Sequence, residues 1–158
     1  MTHNGLKTFL FVGLGNPGTQ YEMTRHNMGY LTVEAFAYRL GWSLKEDRRF
    51  NAKVVKGVFE NQTIHLLLPL TYMNLSGNAV RRYIDYFKIP LNNIIIVTDD
   101  IALPFGQLRL RSMGSHGGHN GLRSIEACLG TPQYKRMRMG ISHPGEKVLT
   151  NYVLEPFS

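Results

Sequence analysis

Apolar residues along the chain fall into short runs, and the spacing within the runs alternates between two and three to four. Residues 7–13, KTFLFVG, read as a strand that ends in a glycine turn. Over residues 24–40 the pattern turns helical, with Val33, Phe36, Ala37 and Leu40 on one face and Gly41 as the stop. Residues 50–59 and 63–68 are strand-like, with Glu60-Asn61-Gln62 as a hairpin turn between them. Residues 74–89 form a second helical pattern, in which Val80, Tyr83, Ile84 and Phe87 share a face and Pro90 ends it. The run NNIIIVTDD has the β-branched composition of a buried central strand. Residues 107–113 alternate Leu108 and Leu110 against Arg109 and Arg111, which predicts a half-exposed strand. Residues 120–129 predict a third helix with Leu122, Ile125 and Leu129 inward, and 136–142 a last strand. Strands alternating with helices, without repeats or linkers, predict a single α/β domain over 1–158 with a mixed central sheet flanked by helices.

The 158 residues and 43% hydrophobic content suffice for one packed core. No apolar run approaches the roughly 20 residues of a membrane span, and the first residues lack a secretory pattern. Cys128 is the one cysteine, so no internal disulfide forms; its helical setting predicts a core position. A cytoplasmic protein is the expectation. Charge adds a second constraint. The formal net charge is +7. Between Leu103 and Lys147, Arg109, Arg111, Arg123, Lys135, Arg136, Arg138 and Lys147 face only Glu126 and Glu146. Such clustering favours a polyanion such as nucleic acid, or an anionic membrane, over an ordinary solvated surface, with nucleic acid the leading reading.

The glycines at 13, 15 and 18 satisfy the G-x-G-x-x-G pattern after a strand. A dinucleotide turn also needs a helix starting inside the motif and an acid ending a second strand about 20 residues on. Here the helical pattern starts later, Glu34 falls mid-helix, and Pro17 lacks an N–H for phosphate. The turn is better read as a strand exit that presents Asn16. Other polar residues sit at comparable junctions: His26 near the first helix, Asn74 before the second, Asp99 and Asp100 after the central strand, and His116, His119 and Asn120 on a Gly-rich loop. In open α/β sheets such strand ends converge on one cleft. One His, one nearby acid and several Asn amides, with no evident Ser or Cys nucleophile, suit hydrolysis of an ester by activated water. The H-x-x-H at 116–119 lacks further ligands at metal spacing, so no metal is expected. Asn74 also reads as a helix cap, and Asp100 as the structural member of its pair. Tyr83, Tyr86, Phe87 and Trp42 read as packing residues.

GLGNPGTQYEMTRHNMGY (13–30), P-x-TYMN-x-SG (69–77), DD-x-x-LPFGQLRLR (99–111), GSHGGHNGLRSI (114–125) and RMRMGISHPG (136–145) together resemble bacterial-type peptidyl-tRNA hydrolase over nearly the whole chain. The resemblance implies cleavage of the ester between a peptide and the 3′ ribose of tRNA, with no cofactor. It implies that His26 activates water, that Asp99 orients His26, and that Asn16 contacts the substrate near the scissile ester. It further implies that Tyr21, Tyr72 and Met73 line the peptide groove. Asn74 and Asn120 would bond the peptide or the water, and His119 would support the loop or touch substrate. Arg111 and Arg138 match basic positions that contact tRNA phosphate. A monomer acting on peptidyl-tRNA, away from membranes, is the expectation. A non-catalytic RNA-binding relative is the alternative, and a nucleotide-dependent enzyme is a more distant one.

Leu68 and Thr98 depart from the family, which often has a basic residue and a His or Tyr there. The loop between Gly145 and Tyr152 is short, which bears on a lid over the cleft. The family generally continues past the YVL-x-PF segment into a further helical region, and the chain ends at Ser158 before it.

Overall fold

The computed structural model describes residues 6–142 and 149–157. His3, His143, Lys147 and the first part of the 145–152 loop lie outside the described residues. The first apolar run forms β1 (Lys7–Gly13), and α1 (Met28–Leu40) follows. Next come β2 (Lys45–Asp47), β3 (Ala52–Phe59) and β4 (Gln62–Pro69). The chain continues through α2 (Ser76–Phe87), β5 (Ile94–Asp100) and β6 (Leu108–Arg111). It finishes with α3 (Asn120–Leu129), β7 (Lys135–Gly140) and the short α4 (Leu149–Val153).

The strands form one seven-stranded sheet in the order β2-β3-β4-β1-β5-β7-β6. The four central strands β4, β1, β5 and β7 are parallel, and antiparallel pairs close both margins. The period of two divides the core. On one face Leu10, Val12, Leu67, Ile94 and Ile96 pack against Val80, Tyr83 and Ile84 of α2 and Leu122 and Ile125 of α3. On the other, Ile64, Leu66, Leu68 and Val97 pack against Tyr30, Val33 and Ala37 of α1. This is the expected α/β domain with a mixed sheet. Because the central strands run the same way, their C-terminal ends share one edge, where a cleft belongs.

The glycines of the first motif serve close packing. A Cβ at Gly29 would stand 2.3 Å from the Val97 carbonyl oxygen, and one at Gly13 would stand 2.4 Å from that of Gly29. The start of α1 therefore crosses directly over the exits of β1 and β5. The helix that would face a bound pyrophosphate begins only at Met28, ten residues after Gly18.

Several elements differ from the sequence pattern. The helices anticipated over 24–40 and 74–89 each begin as a 3₁₀ turn, at Arg25–Asn27 and Met73–Leu75. β2 has no apolar alternation and forms only through its pairing with β3. The hairpin turn is two residues, Glu60 and Asn61, both at positive φ, and Gln62 already belongs to β4. β6 is shorter than 107–113 and exposed on both faces, because among the described residues no helix lies over either side of this edge strand. Cys128 is half-buried rather than core, its thiol donating to the Asn78 side chain. Arg136, counted above with the surface charge, is fully buried. Its guanidinium lies 4.0 Å over the Tyr134 ring and donates to the Pro132 and Ser115 carbonyls.

Candidate active site

His26 lies in the 3₁₀ turn between β1 and α1, and Asp99 at the end of β5. Both are buried, at 8% and 4% exposure. His26 Nδ1 is 2.9 Å from Asp99 Oδ2 and 3.1 Å from Oδ1. A second histidine completes the group. His119 Nε2 lies 2.8 Å from Asp99 Oδ1 and 2.9 Å from the Thr98 hydroxyl.

The tautomers follow from the backbone. His119 occupies the N-cap position of α3, and its Nδ1 accepts the N–H groups of Gly121 and Leu122 at 3.0 and 3.3 Å. An accepting Nδ1 in a neutral ring places the proton on Nε2, which therefore donates to Asp99. Asp99 is thus a double acceptor. Its burial alone would raise the carboxyl pKa, but the electrostatic pull and hydrogen bonds of the N–H groups of His119 and His26 outweigh it. Together they hold the group well below the usual carboxylate range. An ionised Asp99 takes the Nδ1–H of His26 and leaves Nε2 as the accepting nitrogen, on a ring that lines the cavity.

His26, Asp99 and His119 also bring three ligand-type atoms within 4.8 Å of one another. A metal ion would need the Nε2 lone pair of His119, and that nitrogen carries the proton as long as Nδ1 caps α3. The cap and a metal ligand therefore exclude each other, and the three residues fit a hydrogen-bonded relay better than a metal centre.

The cavity, about 730 Å³, opens at the shared strand edge. Asn16, Tyr72, Met73, Asn74, His119, Asn120 and Arg138 line it beside His26 and Asp99. Asn16 Oδ1 accepts the Met73 N–H at 2.7 Å. Asn74 is exposed in the 3₁₀ turn before α2; the N-cap of that helix is Leu75, so Asn74 does not cap it. Asn120 opens α3, its side chain only 3.5 Å from Arg123. Asp100 is tied to the Ala102 N–H and to Arg138, and it also lines the cavity. Tyr21 stands apart: it is half-buried in a 3₁₀ turn and outside the cavity lining.

A second depression of about 300 Å³ adjoins the first, lined by Arg109, Arg111 and Arg138 among others. Arg138 borders both cavities, and its other partners are Asp100 at 3.5 Å and the Ser115 carbonyl at 3.3 Å. Leu68 is part of the core and Thr98 a partner of His119, so neither departure disturbs the His26–Asp99 pair. The sequence reading did not single out Val153 and Leu154, which also line the cavity. It also overlooked Arg25, next to His26, which is buried and holds the C-terminal segment. The Arg25 guanidinium lies 4.1 Å from the Tyr152 ring and donates to the Tyr152 carbonyl and the Glu155 carboxylate. No local pattern signals such a contact across 130 residues.

Comparison with known proteins places the chain among relatives of one family and fold. Residues 10–158 match the model of the peptidyl-tRNA hydrolase family. A peptidyl-tRNA hydrolase of Bacillus cytotoxicus is 50% identical over 151 residues, covering 94% of this chain and 80% of that protein. One of Gloeobacter violaceus is 49% identical over 150 residues, covering 94% and 76%. The crystal structure of peptidyl-tRNA hydrolase from Acinetobacter baumannii superposes with a TM-score of 0.91 at 41% identity, covering 96% of this chain and 77% of that one.

Proposed function

The chain belongs to the peptidyl-tRNA hydrolase family, and from that membership we propose how its residues divide the work. The reaction is hydrolysis of the carboxylic ester joining a peptide to the 3′ ribose of tRNA, which returns the tRNA to translation. His26 is the general base: its Nε2 takes a proton from water, and the water oxygen attacks the ester carbonyl carbon. Asp99 holds the productive tautomer and stabilises the imidazolium. The tetrahedral intermediate then expels the ribose oxygen, which takes the proton back from His26. The ester's alkoxide is a better leaving group than an amine, so a water nucleophile suffices. The observation that carries this reading is the double acceptance by Asp99, which leaves Nε2 of His26 as the one unprotonated ring nitrogen in the relay that is not already an acceptor.

Asn16, Asn74 and Asn120 supply amide donors for the carbonyl oxygen, the peptide or the water. Tyr72 and Met73 form the wall against the peptide. His119 acts through Asp99, and Tyr21 is left to a packing role. Arg111 and Arg138 bind tRNA phosphate at the neighbouring depression. No helix among the described residues is long and apolar enough to cross a membrane. A monomer working in the cytoplasm, where peptidyl-tRNA arises, completes the reading.

The test is release of free tRNA from N-acetyl-aminoacyl-tRNA by the parent and by His26→Ala. Removal of a general base lowers the rate by roughly 10²–10⁴-fold. Equal rates would remove His26 from the mechanism, and an inactive parent that still binds tRNA would favour the RNA-binding alternative.

A further inference from the structure

Asn27 follows His26 and is 1% exposed. It occupies the N-cap position of α1, where Asn is a preferred residue, yet its side chain makes no capping bond. Both polar atoms are turned instead to the backbone of Asn16, eleven residues earlier. Asn27 Oδ1 accepts the Asn16 N–H at 2.8 Å, and Asn27 Nδ2 donates to the Asn16 carbonyl at 2.9 Å. A backbone N–H only donates and a carbonyl only accepts, so this amide has one orientation. The same loop serves α1 in return, the Leu14 carbonyl accepting the Tyr30 N–H at 3.1 Å.

The side chain of Asn16 is equally determined. Its Oδ1 is taken by the Met73 N–H, again a backbone group that cannot reverse its role. Its Nδ2 therefore faces the cavity with donors only and has no hydrogen-bond partner among the described residues. That nitrogen opens onto the cavity and to solvent, so a ligand that displaces solvent there must offer these donors an acceptor. A carbonyl oxygen is the group that satisfies them. A free ammonium, also a donor, is not.

We propose that Asn27 is a positioning residue: by pairing with both sides of the Asn16 backbone it fixes Asn16 as a donor to a substrate carbonyl. The proposal rests on the reading of Asn16 as a substrate contact. Asn27 itself touches neither water nor ester. Its effect on the reaction passes through one side chain, which gives it a distinctive signature: it vanishes when that side chain is absent.

The experiment is a double-mutant cycle on hydrolysis of N-acetyl-aminoacyl-tRNA, with kcat and KM measured across pH for the parent, Asn16→Ala, Asn27→Ala and the double variant. Misplacing a substrate contact by about 1 Å costs up to the order of 10²-fold. Each single variant is expected to lose about tenfold or more in kcat/KM, with the pH profile of kcat unchanged because His26 and Asp99 are intact. The double variant is expected within about threefold of Asn16→Ala, since coupled sites are not additive. Losses that multiply overturn the role of Asn27 and leave that of Asn16. An Asn16→Ala variant as active as the parent overturns both. Should Asn27→Ala fail to fold, Asn27→Asp replaces it in the cycle, keeping the acceptor for the Asn16 N–H and losing the donor to its carbonyl; the same outcomes decide.

Discussion

Replacing Asp99 by Asn isolates the tautomer on which the mechanism depends. The carboxylate accepts two N–H groups, from His26 Nδ1 at 2.9 Å and His119 Nε2 at 2.8 Å. An amide of the same shape has one accepting oxygen and one donating nitrogen. His119 cannot yield, because the N–H groups of Gly121 and Leu122 hold its Nδ1 as an acceptor and so keep the proton on Nε2. The single oxygen of the substituted amide therefore turns to His119, and its NH₂ turns to His26. Nδ1 of His26 becomes an acceptor, its proton moves to Nε2, and the ring can no longer take a proton from water there. The expected loss in kcat for Asp99→Asn is about 10²–10⁴-fold, or roughly 3–5 kcal/mol in the barrier, with KM little changed because Asp99 does not touch the peptide. Steady-state hydrolysis of N-acetyl-aminoacyl-tRNA measures both. Adding His119→Asn should recover at least about tenfold of the lost kcat: Asn still caps α3 but is too short to claim the oxygen of residue 99, which then turns to His26. A single variant within about threefold of the parent refutes the tautomer argument. A double variant no faster than the single one refutes the competition between the two histidines.

The basic depression predicts a salt effect. tRNA affinity should fall as salt rises, and Arg111→Gln should reduce the log–log slope by about one; a slope unchanged in both Arg111→Gln and Arg138→Gln removes the pair from the interface. Stability should carry a separate mark from His65, buried beside Tyr83 and Phe87 on the α2 face. Burial, then the nearby Lys56 charge, pushes its pKa down to about 4. The unfolded imidazole takes up a proton near its ordinary value while the folded one does not, so stability falls as pH drops from about 6.5 toward 4. The full effect is on the order of 3 kcal/mol, about 2 of them by pH 5. Urea midpoints at pH 7 and pH 5 should converge in His65→Phe relative to the parent; an unchanged difference excludes His65 as its source.

Much of the architecture was legible because it rests on local periodicity. The run Ile94–Asp100 is a buried central strand because β-branched residues on both faces need cover on both. α3 spans Asn120–Leu129 as its apolar spacing requires. The candidate chemistry was legible for a related reason. Asn16, His26, Asn74, Asp99 and Asn120 stand at element junctions, and parallel strands bring their C-terminal ends to one edge. Where the pattern misled, a tertiary circumstance intervened. β6 reads as half-buried, but at the sheet margin its leucines stay more than half exposed. Arg136 reads as surface charge, but carbonyls and the Tyr134 ring accept it inside. Tyr21 belongs to the same motif as His26 and still falls outside the cavity.

The order of residues along this chain therefore determined the strands and helices, the edge at which they meet, and the residue types gathered there. These depend on neighbours within a few positions and on the direction in which strands run. Only the tertiary structure decided the longer-range hydrogen-bond directions: which side of the Asn16 amide faces the cavity, and why Asn27 forgoes its own helix. Both choices are imposed by a backbone N–H or carbonyl beyond the local turn, 57 residues away for Asn16 and 11 for Asn27, and a pattern of side chains holds no record of where the backbone's own donors and acceptors come to point.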